Sequence, residues 1–415
     1  MGNKISKFAP KDGFPNLPVI DGIKLSACNA NISKEEKFDL LLIQAAPSSV
    51  ISGLFTKSET CSPAVDWGRQ NLKRAQNQKK PIAIVVNSGN ANVFTGLAGK
   101  TTVRETIVSV AKNLNTPQEN IFVASTGVIG EHLHHKKITS QIATLINNAE
   151  SDTFSDAAKA IMTTDTYPKG VHTKLTIENT DVKINGIAKG SGMIAPNMAT
   201  MLVFIFSDIA IEKNILQQIT AHCSIKSFNC ITVDSDTSTS DSLLIITTGT
   251  AKMQKINSLT DPRAIKFQNY LYKTMLELAH LVIKDGEGIT KFIEVTVSGA
   301  KTYKNAVRIA KSIAESPLVK TAFAGEDPNW GRVVMAIGKS GVKIKKEKIS
   351  IFFGNNIIAE NGSISENYNE KIISDYMKND LLSVFIDLGL GKEKASIYTC
   401  DLTHEYISIN ADYRS

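Results

Sequence analysis

The chain of 415 residues has room for two or three hydrophobic cores, and 42% hydrophobic with 21% charged residues is an ordinary globular composition, which excludes disorder as its resting state. A net charge of +7 is modest for this length, and the lysines are scattered, so the charge reads as a solvated surface and no nucleic-acid or membrane partner is expected. No apolar stretch approaches the roughly 20 residues that span a bilayer. Five widely spaced cysteines without a Cys-x-x-Cys pair fit neither a complete disulfide framework nor a zinc pattern, and a reducing cytoplasm is the simplest compartment.

After a start containing Pro10, Pro15 and Pro18, the runs Leu40 to Gln44 and Val50 to Phe55 read as strands separated by a Pro47-Ser48-Ser49 turn. A helix is expected from Asp66 to about Gln78, then a strand from Ile82 to Val86; this alternation points to α/β layering. Asn87-Ser88-Gly89-Asn90-Ala91-Asn92 follows, small and polar beyond a buried strand, and a simple turn explains its asparagines. A helix from Val103 to Leu114 leads into the strand Ile121 to Ala124, which ends in Ser125-Thr126-Gly127. Glycine lets backbone N–H groups approach a ligand and the adjacent hydroxyl adds a donor, which suits a developing oxyanion, although a strand-ending turn has the same composition.

Helices are expected from Lys137 to Asn148 and from Asp156 to Met162, the second leading into Thr163-Thr164-Asp165-Thr166, whose hydroxyls can cap a helix end. His132, His134 and His135 cluster beside lysines without thiol or carboxylate neighbours and read as a polar loop, so no metal is expected. The hairpin-like pair Leu175 to Glu178 and Val182 to Ile187 delivers the chain to Lys189-Gly190-Ser191-Gly192-Met193-Ile194-Ala195-Pro196-Asn197-Met198-Ala199-Thr200-Met201-Leu202. Two glycines loosen this backbone, a proline forbids a continuing helix, and Thr200 heads the apolar run Met201 to Phe206. On periodicity alone, Thr200 is a strand-start residue.

A helix from Ile211 to about Ile225 precedes the polar run Asp234 to Asp241, which lacks the glycine and terminal glutamate of an EF-hand and reads as a solvated or supporting loop. The strand Leu243 to Thr247 and an amphipathic helix from Pro262 to Ile283 come next, ending at Asp285-Gly286-Glu287-Gly288-Ile289-Thr290-Lys291. Beyond a break near Lys291, strands and helices alternate through Glu294 to Val297, Asn305 to Ala314, Val333 to Ile337, Ile349 to Phe353 and Leu382 to Ile386, which suggests a smaller α+β domain.

The fourteen residues from Lys189 to Leu202 closely resemble the self-cleaving signature of the ornithine acetyltransferase (glutamate N-acetyltransferase) family of arginine biosynthesis. Further segments match: Asn87 to Asn92, Ser125 to Gly130, Thr163 to Thr166, Gly286 to Lys291, Gly325-Glu326-Asp327-Pro328-Asn329-Trp330-Gly331-Arg332 and the tail Asn410-Ala411-Asp412-Tyr413-Arg414-Ser415. Ile289 stands where the family usually has alanine, and Ser415 where it often has threonine. The fold expected is α/β (α+β), a layered αββα sandwich core over 1–291 with a smaller C-terminal α+β domain over 292–415.

The resemblance implies cleavage between Ala199 and Thr200 into an alpha chain, 1–199, and a beta chain, 200–415. It makes Thr200 the nucleophile and, through its freed amine, the base. Thr126 and Gly127 become the oxyanion hole, and Thr166, Lys189, Thr200, Glu287, Asn410 and Ser415 contact substrate, Lys189 through a carboxylate and Glu287 through a cationic amine. The implied reaction is ping-pong: acetyl passes from N-acetylornithine to Thr200 and then to glutamate. Some members also draw acetyl from acetyl-CoA, no cofactor is required, and the mature assembly holds two alpha and two beta chains.

The chemistry is coherent with elementary acid–base behaviour. A threonine hydroxyl is un-ionised at neutral pH and needs a base. A freed α-amine, with a reference pKa of about 7.7–8.0 against roughly 10.4 for lysine, is partly neutral there and tethered beside its own hydroxyl. The nearest rival is a self-processing amidase or aminopeptidase of related fold, which hands the acyl group to water. A second rival, a non-catalytic polyanion-binding protein, predicts an uncut chain and salt-sensitive binding.

Overall fold

The computed structural model describes residues 4–74, 76–195 and 201–411. Two sheets form its centre. In the first, Ile23–Cys28, Leu40–Ala45 and Ile82–Asn87 are antiparallel neighbours and Ile121–Ser125 joins in parallel. In the second, the order is Val50–Phe55, Ser242–Thr247, Leu202–Ser207, Thr180–Lys189, Lys169–Ile177, with only the Leu202–Ser207 and Ser242–Thr247 pair parallel.

The strands Leu40–Ala45, Val50–Phe55, Ile82–Asn87, Ile121–Ser125, Leu202–Ser207 and Ser242–Thr247 are near-continuous apolar runs because they are covered on both faces. Between the sheets, Leu41, Ile43, Ile84 and Val86 of one meet Phe204, Phe206, Leu244 and Ile246 of the other. The alternate residues point outward. Leu40, Leu42, Val85 and Val123 pack under the helix Gly96–Asn113, while Val203, Ile205, Leu243 and Ile245 pack under the helices Lys213–Ile225 and Pro262–Ile283. The order of layers is helix, sheet, sheet, helix.

A six-stranded sheet is built from 292–400, ordered Ser363–Ile364, Asn356–Glu360, Ser350–Phe353, Leu381–Asp387, Phe292–Ala300, Glu393–Cys400. It has its own core, in which Val295, Val384 and Ile386 meet Ile309 and Ile313 of the helix Tyr303–Ala314. Val333 and Ile337 belong to a further helix in this core, Trp330–Lys339.

Several boundaries differ from the sequence expectation for local reasons. The helix expected at 66–78 is Pro63–Leu72: the Ser62 hydroxyl accepts the Val65 N–H at 3.2 Å and Pro63 supplies a pre-set first turn. The single helix expected over 137–148 is two short ones, His135–Thr139 and Ile142–Asn147. The helix Pro262–Ile283 has the expected limits, with Asp261 capping the Arg263 N–H at 2.8 Å.

The chain's last described element, the helix His404–Ala411, returns to the central layers. Gly288 makes this possible: it holds φ at +69°, and a Cβ there would lie 2.6 Å from the Tyr406 nitrogen. The Thr403 hydroxyl then donates to Gly288 O at 2.7 Å, which brings Asn410 against Glu287.

Candidate active site

A cavity of about 280 Å³ opens where the ends of the two central sheets meet, lined by residues of both and by the returning helix. One wall comes from the five-stranded sheet. Lys189, Leu202 and Ser242 lie side by side across three strands, and Ser242 N–H donates to Met201 O at 3.0 Å.

The opposite wall is the Thr126-Gly127 turn after the strand Ile121–Ser125. Gly127 has φ +127°, and a Cβ there would lie 2.3 Å from the Gly89 carbonyl carbon, so this turn lies flat against the Asn87–Asn92 loop. That loop is braced internally: Asn87 Nδ2 donates to Asn90 O at 2.7 Å and Asn92 N–H to Asn90 Oδ1 at 2.7 Å. The Thr126 N–H is engaged by Asn87 O at 3.0 Å, which leaves the Thr126 hydroxyl as the group this residue can offer a ligand. Lys189 Nζ donates to that hydroxyl at 3.4 Å and so leaves its proton directed elsewhere.

Glu287 closes the third side. It is buried at 8% exposure, and its Oε2 accepts from Asn410 Nδ2 at 2.7 Å. Gly192 faces the same carboxylate so closely that a Cβ would stand 2.5 Å from it. Lys189 is equally buried, and burial pushes its ammonium below the ordinary lysine value against the pull of Asp165, Asp241 and Glu287.

Behind the cavity a buried charge cluster fixes the Lys189–Gly192 backbone. Lys169 Nζ bridges Asp165 at 2.6 Å and Asp285 at 2.5 Å, with all three side chains fully covered. Asp165 also accepts the Gly190 N–H at 2.7 Å. Burial alone would raise the Asp165 carboxyl, but the Lys169 and Lys189 ammonium groups and its hydrogen bonds hold it well below the usual range. Lys169 is raised, the two carboxylates outweighing the effect of burial.

Of the residues singled out from sequence, Thr126, Gly127, Lys189, Glu287 and Asn410 converge on this cavity. Thr166 belongs to the cluster behind it: its N–H donates to Asp285 Oδ2 at 2.9 Å and its hydroxyl to Asp285 Oδ1. Ala199, Thr200 and Ser415 lie outside the described residues. Among the described residues no group of histidine, cysteine and carboxylate side chains is arranged to hold a metal ion, and no helix is long and apolar enough to cross a membrane.

The polar run 234–241 divides into three parts. Its middle is exposed. Its first aspartate, Asp234, accepts the Met193 and Ile194 N–H groups at 2.6 and 2.9 Å, and its last, Asp241, is a 2%-exposed wall of the cavity. Nothing in the composition of the run separates the three parts. The signal available was position, since Asp241 immediately precedes an apolar strand.

The ArgJ family model matches residues 24–415. The chain is 47% identical to the arginine biosynthesis bifunctional protein ArgJ of Mesorhizobium japonicum, over all of both chains. It is 48% identical to the protein of the same name from Ruegeria pomeroyi, over 99% of each. Among solved structures, the arginine biosynthesis bifunctional protein argJ of Bacillus halodurans is 35% identical, covering 50% of this chain and 96% of that one, with a TM-score of 0.48. On the family match and the full-length identity to these relatives, the chain belongs to the ArgJ family of arginine biosynthesis enzymes.

Proposed function

We propose that this protein cleaves itself before Thr200 and then moves the acetyl group of N-acetylornithine to glutamate through an acetyl-threonine. The observation that carries the reading is the convergence of Thr126, Gly127, Lys189, Glu287 and Asn410 on one cavity beside the strand that follows Thr200, in a member of this family. In cleavage, Thr200 Oγ attacks the Ala199 carbonyl carbon, the C–N bond breaks as the ester forms, and water releases the two chains with a free amine on Thr200. In turnover, that amine takes the hydroxyl proton as Oγ attacks the acetyl carbon.

The tetrahedral oxyanion is met by the Thr126 hydroxyl and the Gly127 backbone N–H, oriented before the reaction and therefore effective. Ornithine leaves with the proton, glutamate's amine attacks the acetyl ester, and Thr200 is restored. Lys189 takes a substrate carboxylate, and Glu287, steadied by Asn410, takes a cationic amine. Thr166 acts from behind the cavity, and Ser415 supplies a hydroxyl from the tail. These steps require no cofactor; acetyl-CoA is a second donor for the same hydroxyl. The assembly proposed from the family resemblance is two chains of each kind, which light scattering measures.

Intact mass under denaturing conditions tests the first step. Two fragments meeting between Ala199 and Thr200 are expected, and Thr200→Ala is expected to remain one chain without turnover. A Thr200→Ala protein that still separates overturns the assignment. Supplying N-acetylornithine with and without glutamate then separates acetyl transfer, which yields N-acetylglutamate, from an amidase, which yields acetate in both cases.

A further inference from the structure

Among the described residues, Asp241 is a buried acidic side chain lining this cavity to which the reaction above gives no task. Its side chain is a wall of the cavity and only 2% exposed, and Oδ2 has no hydrogen-bond partner among the described residues. Lys189 does not satisfy it: that ammonium contacts the Thr126 hydroxyl and forms no ion pair among the described residues. A buried carboxylate oxygen without a donor is costly, and a fold retains one where an arriving group supplies the donor. Burial also holds the Asp241 carboxyl well above its ordinary value of 3.8, with the Ser238 hydroxyl and the Lys189 ammonium opposing.

Position narrows what arrives. Asp241 immediately precedes Ser242, whose N–H donates to Met201 O, so the carboxylate belongs to the strand end beside Met201, the residue that follows Thr200. Among the described residues, the other charged side chains facing the cavity are Lys189 and Glu287. Glu287 already holds the Asn410 amide, whereas Asp241 Oδ2 is open.

We propose that Asp241 is a second ammonium-binding carboxylate of the site, beside Glu287, accepting hydrogen bonds from a primary amine. This rests on reading the cavity as an amino-acid acetyl-transfer site. Two amines have that chemistry: the α-amine of departing ornithine or arriving glutamate, which N-acetylornithine carries only as its amide, and the amine that cleavage frees on Thr200. Both are delivered only in the mature, loaded enzyme.

The test compares wild type with Asp241→Asn, which keeps the shape and removes the charge, on protein verified as folded and cleaved. One arm measures binding of ornithine and of 5-aminopentanoate, which lacks the α-amine. If Asp241 holds the substrate amine, wild type prefers ornithine by about tenfold or more and the variant loses that preference. The other arm measures kcat/KM against pH. If Asp241 holds the Thr200 amine, removing the carboxylate favours the neutral amine, and the acid limb moves down by about one pH unit.

A variant with both the wild-type preference and the wild-type acid limb overturns the proposal. Asp241→Ser, which removes the carboxylate and leaves a hydroxyl, is the second variant; an unchanged preference and limb there overturn it equally should the asparagine protein not fold. Wild-type protein that neither binds ornithine nor transfers acetyl overturns the acetyl-transfer reading itself, and this proposal with it.

Discussion

Replacing Gly127 by alanine is the sharpest perturbation of the proposed oxyanion wall, because the effect follows from backbone geometry. A methyl group there would stand 2.3 Å from the Gly89 carbonyl carbon and 2.5 Å from the Asn90 nitrogen, whereas ordinary contact begins at 3.4 Å. The Thr126-Gly127 turn must therefore retreat by about 1 Å, a displacement that at a reacting centre costs about 10² in rate. Loss of one oxyanion donor independently gives about 10²–10³. The φ of +127° adds conformational strain of about 1–3 kcal/mol. The expected outcome is a kcat for acetyl transfer lower by about 10²–10³, with a smaller change in KM, since Lys189 and Glu287 belong to other segments. The assay is N-acetylglutamate formation at saturating substrate, normalised to the fraction of protein present as two chains. Wild-type kcat in Gly127→Ala would refute the assignment of this turn.

Asn410→Ala removes the 2.7 Å hydrogen bond to Glu287 and is expected to raise KM for N-acetylornithine about tenfold with cleavage intact, measured by steady-state kinetics. Lys169→Ala leaves Asp165 and Asp285 buried without their shared cation and is expected to destabilise the fold by about 3–5 kcal/mol in urea titration. His280, half-buried against Phe292 and Tyr398, is held down to about 4 by burial and the Lys284 ammonium, so the native ring stays neutral while the unfolded one protonates. Its contribution to stability is present above its ordinary value of 6.5 and is lost as pH falls towards 4, by up to about 3 kcal/mol. His280→Leu should therefore flatten the acid side of the stability profile, read from urea midpoints at successive pH values.

The central strands were legible because a strand buried on both faces must be apolar throughout: Val50 to Phe55 and Ile82 to Val86 are such runs. The strand Glu393–Cys400 was not, since its lysine, serine, tyrosine and threonine reflect an outer position in the six-stranded sheet, which only tertiary pairing with Phe292–Ala300 establishes. The same limit applied at the site. Glycine-bearing motifs identified segments whose backbones approach one another, as Gly127 approaches Gly89. Burial of Asp241 was masked by the serines, threonines and aspartates that precede it; its place at the head of the apolar strand Ser242–Thr247 was the one local hint, and its cover comes from segments distant in the chain.

The site is built on charges that the fold keeps slightly apart. Lys189 is buried with Asp165, Asp241 and Glu287 around it, yet among the described residues its ammonium donates to the Thr126 hydroxyl and to no carboxylate. Had it paired directly with a carboxylate, as Lys169 does with two, it would be as inert as that cluster. The two lysines thus show two uses of burial. At Lys169 the ammonium is engaged by two carboxylates, one of which, Asp165, fixes the backbone through the Gly190 N–H. At Lys189 the match is left incomplete, and under the proposed function a substrate carrying both a carboxylate and an amine would complete it, concentrating binding strength on molecules with that pair of groups.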